Sequence, residues 1–387
     1  MKKMLPKIAA SLAVCSILAG ASVAADVIKI GVQAPITGSY ASEGQSIDNG
    51  VKLIVEQYNA KGGILGKKIE VVTCDDQGTA QQAAICAKKL VNEGVKAVIG
   101  SYTSGATEAA QTTYFRAGVL QTSDGTSDSL IAHKYWTFFR NSFPNSAEAD
   151  FTAKYFVDGK QYKKIVVLSD YSSYSTDLGD ATIKALKAKN ANIVYEGKIK
   201  SGTQNFTATL TKIKAMEPDV IYFSGYYTDG GLLRAQQQQL GIKADFVGGD
   251  SNDNPDFMKL AGESAKGTFM INVPTPDILP YDIAKTFLVD YKAKYNAMPA
   301  SIWSLMNVDG LRAILHAMEQ TKSEDTKVVA EAMHKLKDFP GNYTDFREWN
   351  ELMEEQEKEE KAKVSKAKTQ ETKQINAERE TKNTERK

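Results

Sequence analysis

Hydroxyl-bearing residues crowd the end of one short apolar run. The segment VIGSYTSGATEAAQ (98–111) passes from a strand-like run through Gly100 into Ser101, Thr103, Ser104 and Thr107, then into a helical pattern. Three chemistries could use it. A phosphate loop needs Lys beside the closing Ser or Thr, and none is here. A serine nucleophile needs a base, yet His133, His316 and His334 are scattered and no motif supports them. What the segment suits is a small anion: where a strand's end meets a helix N-terminus, free N–H groups point outward and hydroxyls supplement them. An ordinary helix cap is the competing reading. No His, Cys or Asp cluster has metal-ligand spacing, so neither a metal nor another cofactor is expected, and no catalytic residue is assigned.

Comparable residues close other strand-like runs. VLQTSDGTSD (119–128) ends in Ser123, Asp124, Gly125, Thr126 and Ser127; LSDYSSYSTD (168–177) carries Tyr171 and Tyr174; YFSGYYTDGG (222–231) carries Tyr226 and Tyr227; FVGGDSNDN (246–254) carries Asp250. Hydroxyls and N–H donors on one side would thus face tyrosines and a carboxylate on the other. Such a pair of surfaces suits a zwitterion, the α-carboxylate on the first set and the α-ammonium on Asp250. Ring faces would cover the rest of the ligand.

The elements that must position these residues alternate. VIKIGVQA, KKIEVVTC, KAVIG and GVLQTS read as strands separated by helical periods, and after Pro144 the alternation restarts with KKIVVLSD, ANIVYEGKI, PDVIYFSG and ADFVGGD. Short β-rich runs between amphipathic helices predict parallel sheets covered by helices. Repetition on both sides of residues 141–146 predicts an α/β protein of two similar lobes joined by a hinge. Right-handed crossovers then bring the loops after the strands to one edge of each sheet. The glycine-rich NAKGGILGKK follows a helix, not a strand, and reads as a turn.

The 387 residues carry a net charge of +1 with mixed signs, which gives no footprint for nucleic acid. Residues 1–25 have three lysines, an apolar run and small residues before Asp26, the layout of a cleaved secretory signal. Export leaves Cys74 and Cys86, either one disulfide or two buried thiols. The charged segment 342–387 has almost nothing apolar after Met353, only Val364 and Ile375, so a solvated helix or a disordered tail is expected.

At these residues the chain resembles the periplasmic leucine/isoleucine/valine-binding proteins, the type I solute-binding fold of ABC importers. The likeness runs from about Asp26 to Gly341 and is carried by KIGVQAPITGSYASEGQSIDNGVKLIVEQYNAKGGILGKKIEVV, VIGSYTSGAT, LSDYSSYSTDLG and YFSGYYTDGG in that order. It implies a first lobe of residues 26–144 and 275–341 and a second of 145–274. Ser104 matches the serine that holds the ligand carboxylate. Gly125 and Ser127, with Thr126 between them, match the adjoining loop. Tyr174 matches an aromatic that closes over the ligand, and Tyr226 and Asp250 match the aromatic and the acid near the ammonium, where relatives usually carry glutamate. Glu43, with Tyr40 nearby, stands where relatives have an aromatic over the side-chain pocket, and Asp124 where proline is common. Glu43 either lines that pocket or caps its helix in solvent. The resemblance implies a monomeric, non-enzymatic periplasmic protein that captures an amino acid, in the first place a branched-chain one, for a membrane-embedded ABC permease. A more polar amino acid or an amide is the alternative ligand, and an extracellular sensor domain the alternative role. The charged tail departs from the family and looks more like a linker of tandem ATP-binding cassette proteins.

Overall fold

The computed structural model describes residues 27–336 and 339–342. The expected signal peptide, and the expected tail apart from Asn342, lie outside the described residues.

Five strands form the first sheet: β1 (Val27–Ala34), β2 (Lys68–Asp75), β3 (Ala97–Ile99), β4 (Leu120–Ser123) and β5 (Phe138–Arg140), in the order β2-β1-β3-β4-β5. Five more form the second: β6 (Ile165–Ser169), β7 (Ile193–Lys198), β8 (Val220–Phe223), β9 (Asp245–Gly248) and β10 (Thr268–Met270), in the order β10-β9-β8-β6-β7. Every strand pair is parallel. Parallel strands covered on both faces need near-continuous apolar runs. Ile28, Ile30 and Val32 of β1 and all of Val220–Phe223 are fully buried. The helices are α1 (Ala41–Ala60), α2 (Ala80–Asn92), α3 (Ser104–Ala117), α4 (Asn145–Lys154), α5 (Ser173–Ala188), α6 (Thr207–Lys214), α7 (Tyr227–Gln239), α8 (Pro255–Ala261), α9 (Asp282–Tyr295), α10 (Ile302–Thr321) and α11 (Thr326–Met333). Each sheet is packed on both faces, giving the two-lobed α/β architecture expected from the sequence.

Strand order fixes where a ligand can sit. In the first sheet the chain leaves β1 for β2 on one side and β3 on the other; in the second it leaves β6 for β7 and β8. Loops diverge at these switch points and open a crevice beyond the strands' C-terminal ends.

After β10 the chain returns to the first lobe. There α10 packs against α1, β3 and β4. Gly310 permits the approach, since a Cβ there would lie 2.6 Å from Thr122 Oγ1. Asn342 belongs to this packing. It is fully buried, its N–H donates to Asp309 Oδ2 (2.6 Å), and its side-chain amide donates to Asp309 Oδ1 (2.7 Å) and to the Leu305 carbonyl (3.2 Å). Specific hydrogen bonds to α10 hold this residue, which composition could not reveal. Cys74 at the end of β2 and Cys86 on α2 form a disulfide, with Cα atoms 5.6 Å apart.

Candidate functional site

The hydroxyl cluster at the start of α3 divides into framework and free groups. Thr103 is the helix cap, its Oγ1 accepting from Ala106 N–H at 3.3 Å. Thr107 donates to the Ser101 carbonyl at 2.8 Å and meets the Ser123 hydroxyl at 2.9 Å, which ties the β3 and β4 loops together. Ser104 follows the cap and is buried. Its hydroxyl makes one long contact, accepting from Ser127 N–H at 3.4 Å. Gly125 sits between them, its N–H on Ser123 Oγ (3.0 Å) and its carbonyl accepting from Ser142 (3.3 Å). The Thr126 carbonyl accepts from Asn145 N–H at 2.9 Å. The Ser127 hydroxyl is buried without a hydrogen-bond partner.

Across the crevice the second lobe presents carboxyls. Tyr174, on the first turn of α5, donates to Asp250 Oδ1, and Ser251 Oγ donates to the same oxygen at 3.0 Å. Glu148 on α4 accepts from Asp250 N–H (3.3 Å) and Tyr222 OH (3.1 Å). Asp250 Oδ2 and Glu148 Oε2 are buried and unpartnered. Burial raises both carboxyls above the usual range, and the Asp250 charge pushes Glu148 further. Two desolvated carboxyls this close disfavour both being charged at once. Glu148 carries no local sequence signal, because it comes from the start of α4 and not from a strand end.

Aromatic rings close the crevice from both sides. Tyr40 of the first lobe packs on Tyr226 of the second with centroids 4.6 Å apart, and Tyr226 in turn lies 4.9 Å from Tyr174 and 5.9 Å from Tyr102. Tyr227 also joins the lobes, its OH donating to the Ser39 carbonyl at 3.2 Å. Tyr171 does not take part; it is 72% exposed because the loop after β6 turns it outward. Tyr40 and Tyr226 also line a groove of about 530 Å³ with Gly78, Thr103, Glu108 and Ser172, whereas Ser104 and Asp250 do not reach it.

Glu43 does not cap α1 toward solvent. It is fully buried: Oε1 accepts from Asn254 of the second lobe, and Oε2 from Ser301 Oγ at 2.8 Å. Gly44 explains the inward turn. A Cβ at that position would lie 2.1 Å from the Pro35 carbonyl oxygen, so only glycine lets the first turn of α1 seat on the end of β1. Burial pushes the Glu43 carboxyl up to about 7, partly offset by its two hydrogen bonds. Asp124, at the end of β4, is 2% exposed, and neither of its carboxyl oxygens is hydrogen-bonded. Burial holds it well above the usual range; the Asn307 side chain beside it lowers it in part, and Glu43 and Asp250 raise it. Among the described residues no salt bridge reaches Glu43, Asp124, Glu148 or Asp250.

Two parallel-sheet lobes with their strand ends turned toward one polar, ring-walled crevice define a bilobal solute-binding protein. The chain belongs to the Periplasmic binding protein family, whose profile matches residues 27–355. The match extends beyond Gly341, where the likeness read from sequence stops. Among its relatives is the Leu/Ile/Val-binding protein BraC3 of Rhizobium johnstonii, 31% identical over 320 residues, covering 81% of this chain and 85% of that protein. The leucine-, isoleucine-, valine-, threonine-, and alanine-binding protein of Pseudomonas aeruginosa is 31% identical over 315 residues, covering 81% and 83%. Among solved structures, the LivJ substrate-binding protein of Streptococcus pneumoniae, in complex with isoleucine, superposes with a TM-score of 0.77 at 31% identity, covering 83% of this chain and 91% of that one. The leucine-binding protein LivK of Thermotoga maritima gives 0.77 at 26% identity, covering 82% and 90%.

Proposed function

We propose that the protein captures an amino acid in the periplasm, after export and removal of residues 1–25, and presents the closed, loaded form to a membrane-embedded ABC permease. The observation that carries this is the opposition of two unlike polar surfaces across one crevice: N–H and hydroxyl donors at the start of α3 and after β4, and the Asp250–Glu148 pair with Tyr174 beyond α5 and β9. The ligand carboxylate takes the Ser104 hydroxyl and helix N-terminus with the Ser127 hydroxyl. The α-ammonium takes Asp250, Tyr174 and the Gly125 carbonyl. Its charge lowers the raised carboxyls of the pair, so binding favours loss of a proton from them. Tyr226 and Tyr40 cover the ligand, and their contact across the lobes couples occupancy to closure. The protein acts as a monomer of two lobes, 26–144 with 275–341 and 145–274, and its cycle involves no covalent step. The named ligands of the relatives, branched-chain amino acids together with threonine and alanine, are one set of candidates, and a more polar amino acid or an amide is the other.

Calorimetry of the mature protein against the amino acids and their des-amino analogues tests this reading. An amino acid should bind with proton release, and removing its ammonium should abolish binding. Equal affinity for the des-amino analogues would overturn it.

A further inference from the structure

We infer that the ligand's side chain ends in a nitrogen donor, an ammonium or an amide, and that Asp124 receives it. This narrows the amino-acid reading above and rests on it.

The crevice holds four buried carboxyls that no salt bridge among the described residues reaches. Glu43 is 0%, Asp124 2%, Glu148 4% and Asp250 0% exposed. One α-ammonium answers to the Asp250–Glu148 pair. Glu43 has both oxygens occupied, by Asn254 and Ser301. Of the four, only Asp124 has neither oxygen in a well-formed hydrogen bond; the Asn307 side chain beside it donates to the Trp303 carbonyl at 3.0 Å. A carboxyl desolvated without a partner is costly to keep, and a structural role would have supplied one.

Its place in the fold aims it at the ligand. Asp124 immediately precedes Gly125 and closes β4, beside the β3 loop that carries Ser104. It feels Glu43 and, across the crevice, Asp250, while Tyr226 of the second lobe feels it in turn. A ligand held between Ser104 and Asp250 lies against the loop that carries Asp124, since Ser127 of that loop donates to the Ser104 hydroxyl. The Tyr102 and Tyr226 rings, 5.9 Å apart, offer faces to a methylene stem and to a cation at its end. A side chain ending in methyl groups would leave the Asp124 oxygens bare; an N–H terminus satisfies them.

Two isosteric pairs provide the test on the mature full-length chain: ornithine against norleucine for an ammonium, and asparagine against leucine for an amide. The nitrogen-bearing member of at least one pair should bind about tenfold or more tightly than its apolar isostere, the usual scale of a charge-assisted hydrogen bond. Asp124→Ala should bring that ratio near unity without lowering the ligand-free melting temperature, since it deletes an unpaired buried carboxyl. Asp124→Asn, which preserves shape, should weaken ornithine more than asparagine and serves if the alanine variant misfolds. Tighter binding of leucine and norleucine than of their isosteres would overturn the inference and leave the amino-acid reading standing. Loss of both members of a pair in equal measure in Asp124→Ala would also overturn it. Absence of binding by any amino acid would overturn both.

Discussion

Glu43→Gln should uncouple lobe closure from pH. Glu43 lies on α1 of the first lobe and accepts a hydrogen bond from Asn254 of the second, so part of its burial comes from the other lobe. Burial raises its carboxyl from 4.5 to about 7, with Ser301 and Asn254 opposing and Asp253 and Asp256 of the second lobe adding to the rise. When the lobes part, water reaches the carboxyl and its pKa falls back toward the ordinary value. The closed form therefore holds the proton more tightly. Its advantage is fully present below about pH 4.5 and is lost as pH rises through about 7. At 1.36 kcal/mol for each pH unit, the full displacement is worth at most about 3 kcal/mol, or about 300-fold in the closed-to-open ratio. Small-angle scattering of ligand-free protein between pH 5 and 8 reads this ratio from the change in radius. Acidification should compact the wild type. Asp124, Glu148 and Asp250 are raised in the same direction and retain part of the effect, so the diagnostic is the slope of the logarithm of the ratio against pH. In Glu43→Gln that slope should fall by up to about one proton, because glutamine keeps an acceptor oxygen and cannot titrate. An unchanged slope, or a wild type that opens on acidification, would refute the reasoning.

Ser104→Ala removes a buried hydroxyl whose one contact is a long one, so calorimetric affinity for the amino-acid ligand should fall about tenfold with the fold intact; unaltered affinity would reassign the carboxylate site. Asp250→Ala should abolish measurable binding, whereas Asp250→Glu should retain part of it, because a carboxyl still faces the ammonium; indifference of binding to both changes would remove Asp250 from the site. Asn342→Ala removes the side-chain hydrogen bonds to Asp309 Oδ1 and to the Leu305 carbonyl, leaves the backbone one to Asp309, and should destabilise the first lobe by about 1–3 kcal/mol in urea unfolding. A midpoint equal to wild type would show that Asn342 is dispensable to the packing of α10.

What could be read from the sequence was what repeats or alternates. Apolar runs such as VIYF and the helical periods between them identify the strands, and their alternation identifies the parallel sheets, because both patterns are local consequences of burial on two faces. The same logic brings the loops that carry Ser104, Tyr174, Tyr226 and Asp250 to the sheet edges, since each follows a strand and strand ends share an edge; the choice of these four within the loops comes from the family resemblance. Residues that reach the crevice from elsewhere carry no such mark. Glu148 enters from the start of α4, Asn254 caps α8, and Ser301 caps α10 after the chain has crossed back between lobes. Each depends on contacts more than 70 residues distant, with Glu148 meeting Tyr222 and Asn254 and Ser301 meeting Glu43. Glu43 shows why the difference matters. Three positions after Tyr40 in a helix's first turn, a glutamate is a favourable cap to the helix dipole, and nothing local argues otherwise. Its burial follows from two distant facts, Gly44 seated on Pro35 and Asn254 arriving from the other lobe. A residue whose environment is completed only on closure is where local chemistry and observed structure should diverge, and that divergence singles out Glu43 as a group that senses whether the lobes are shut.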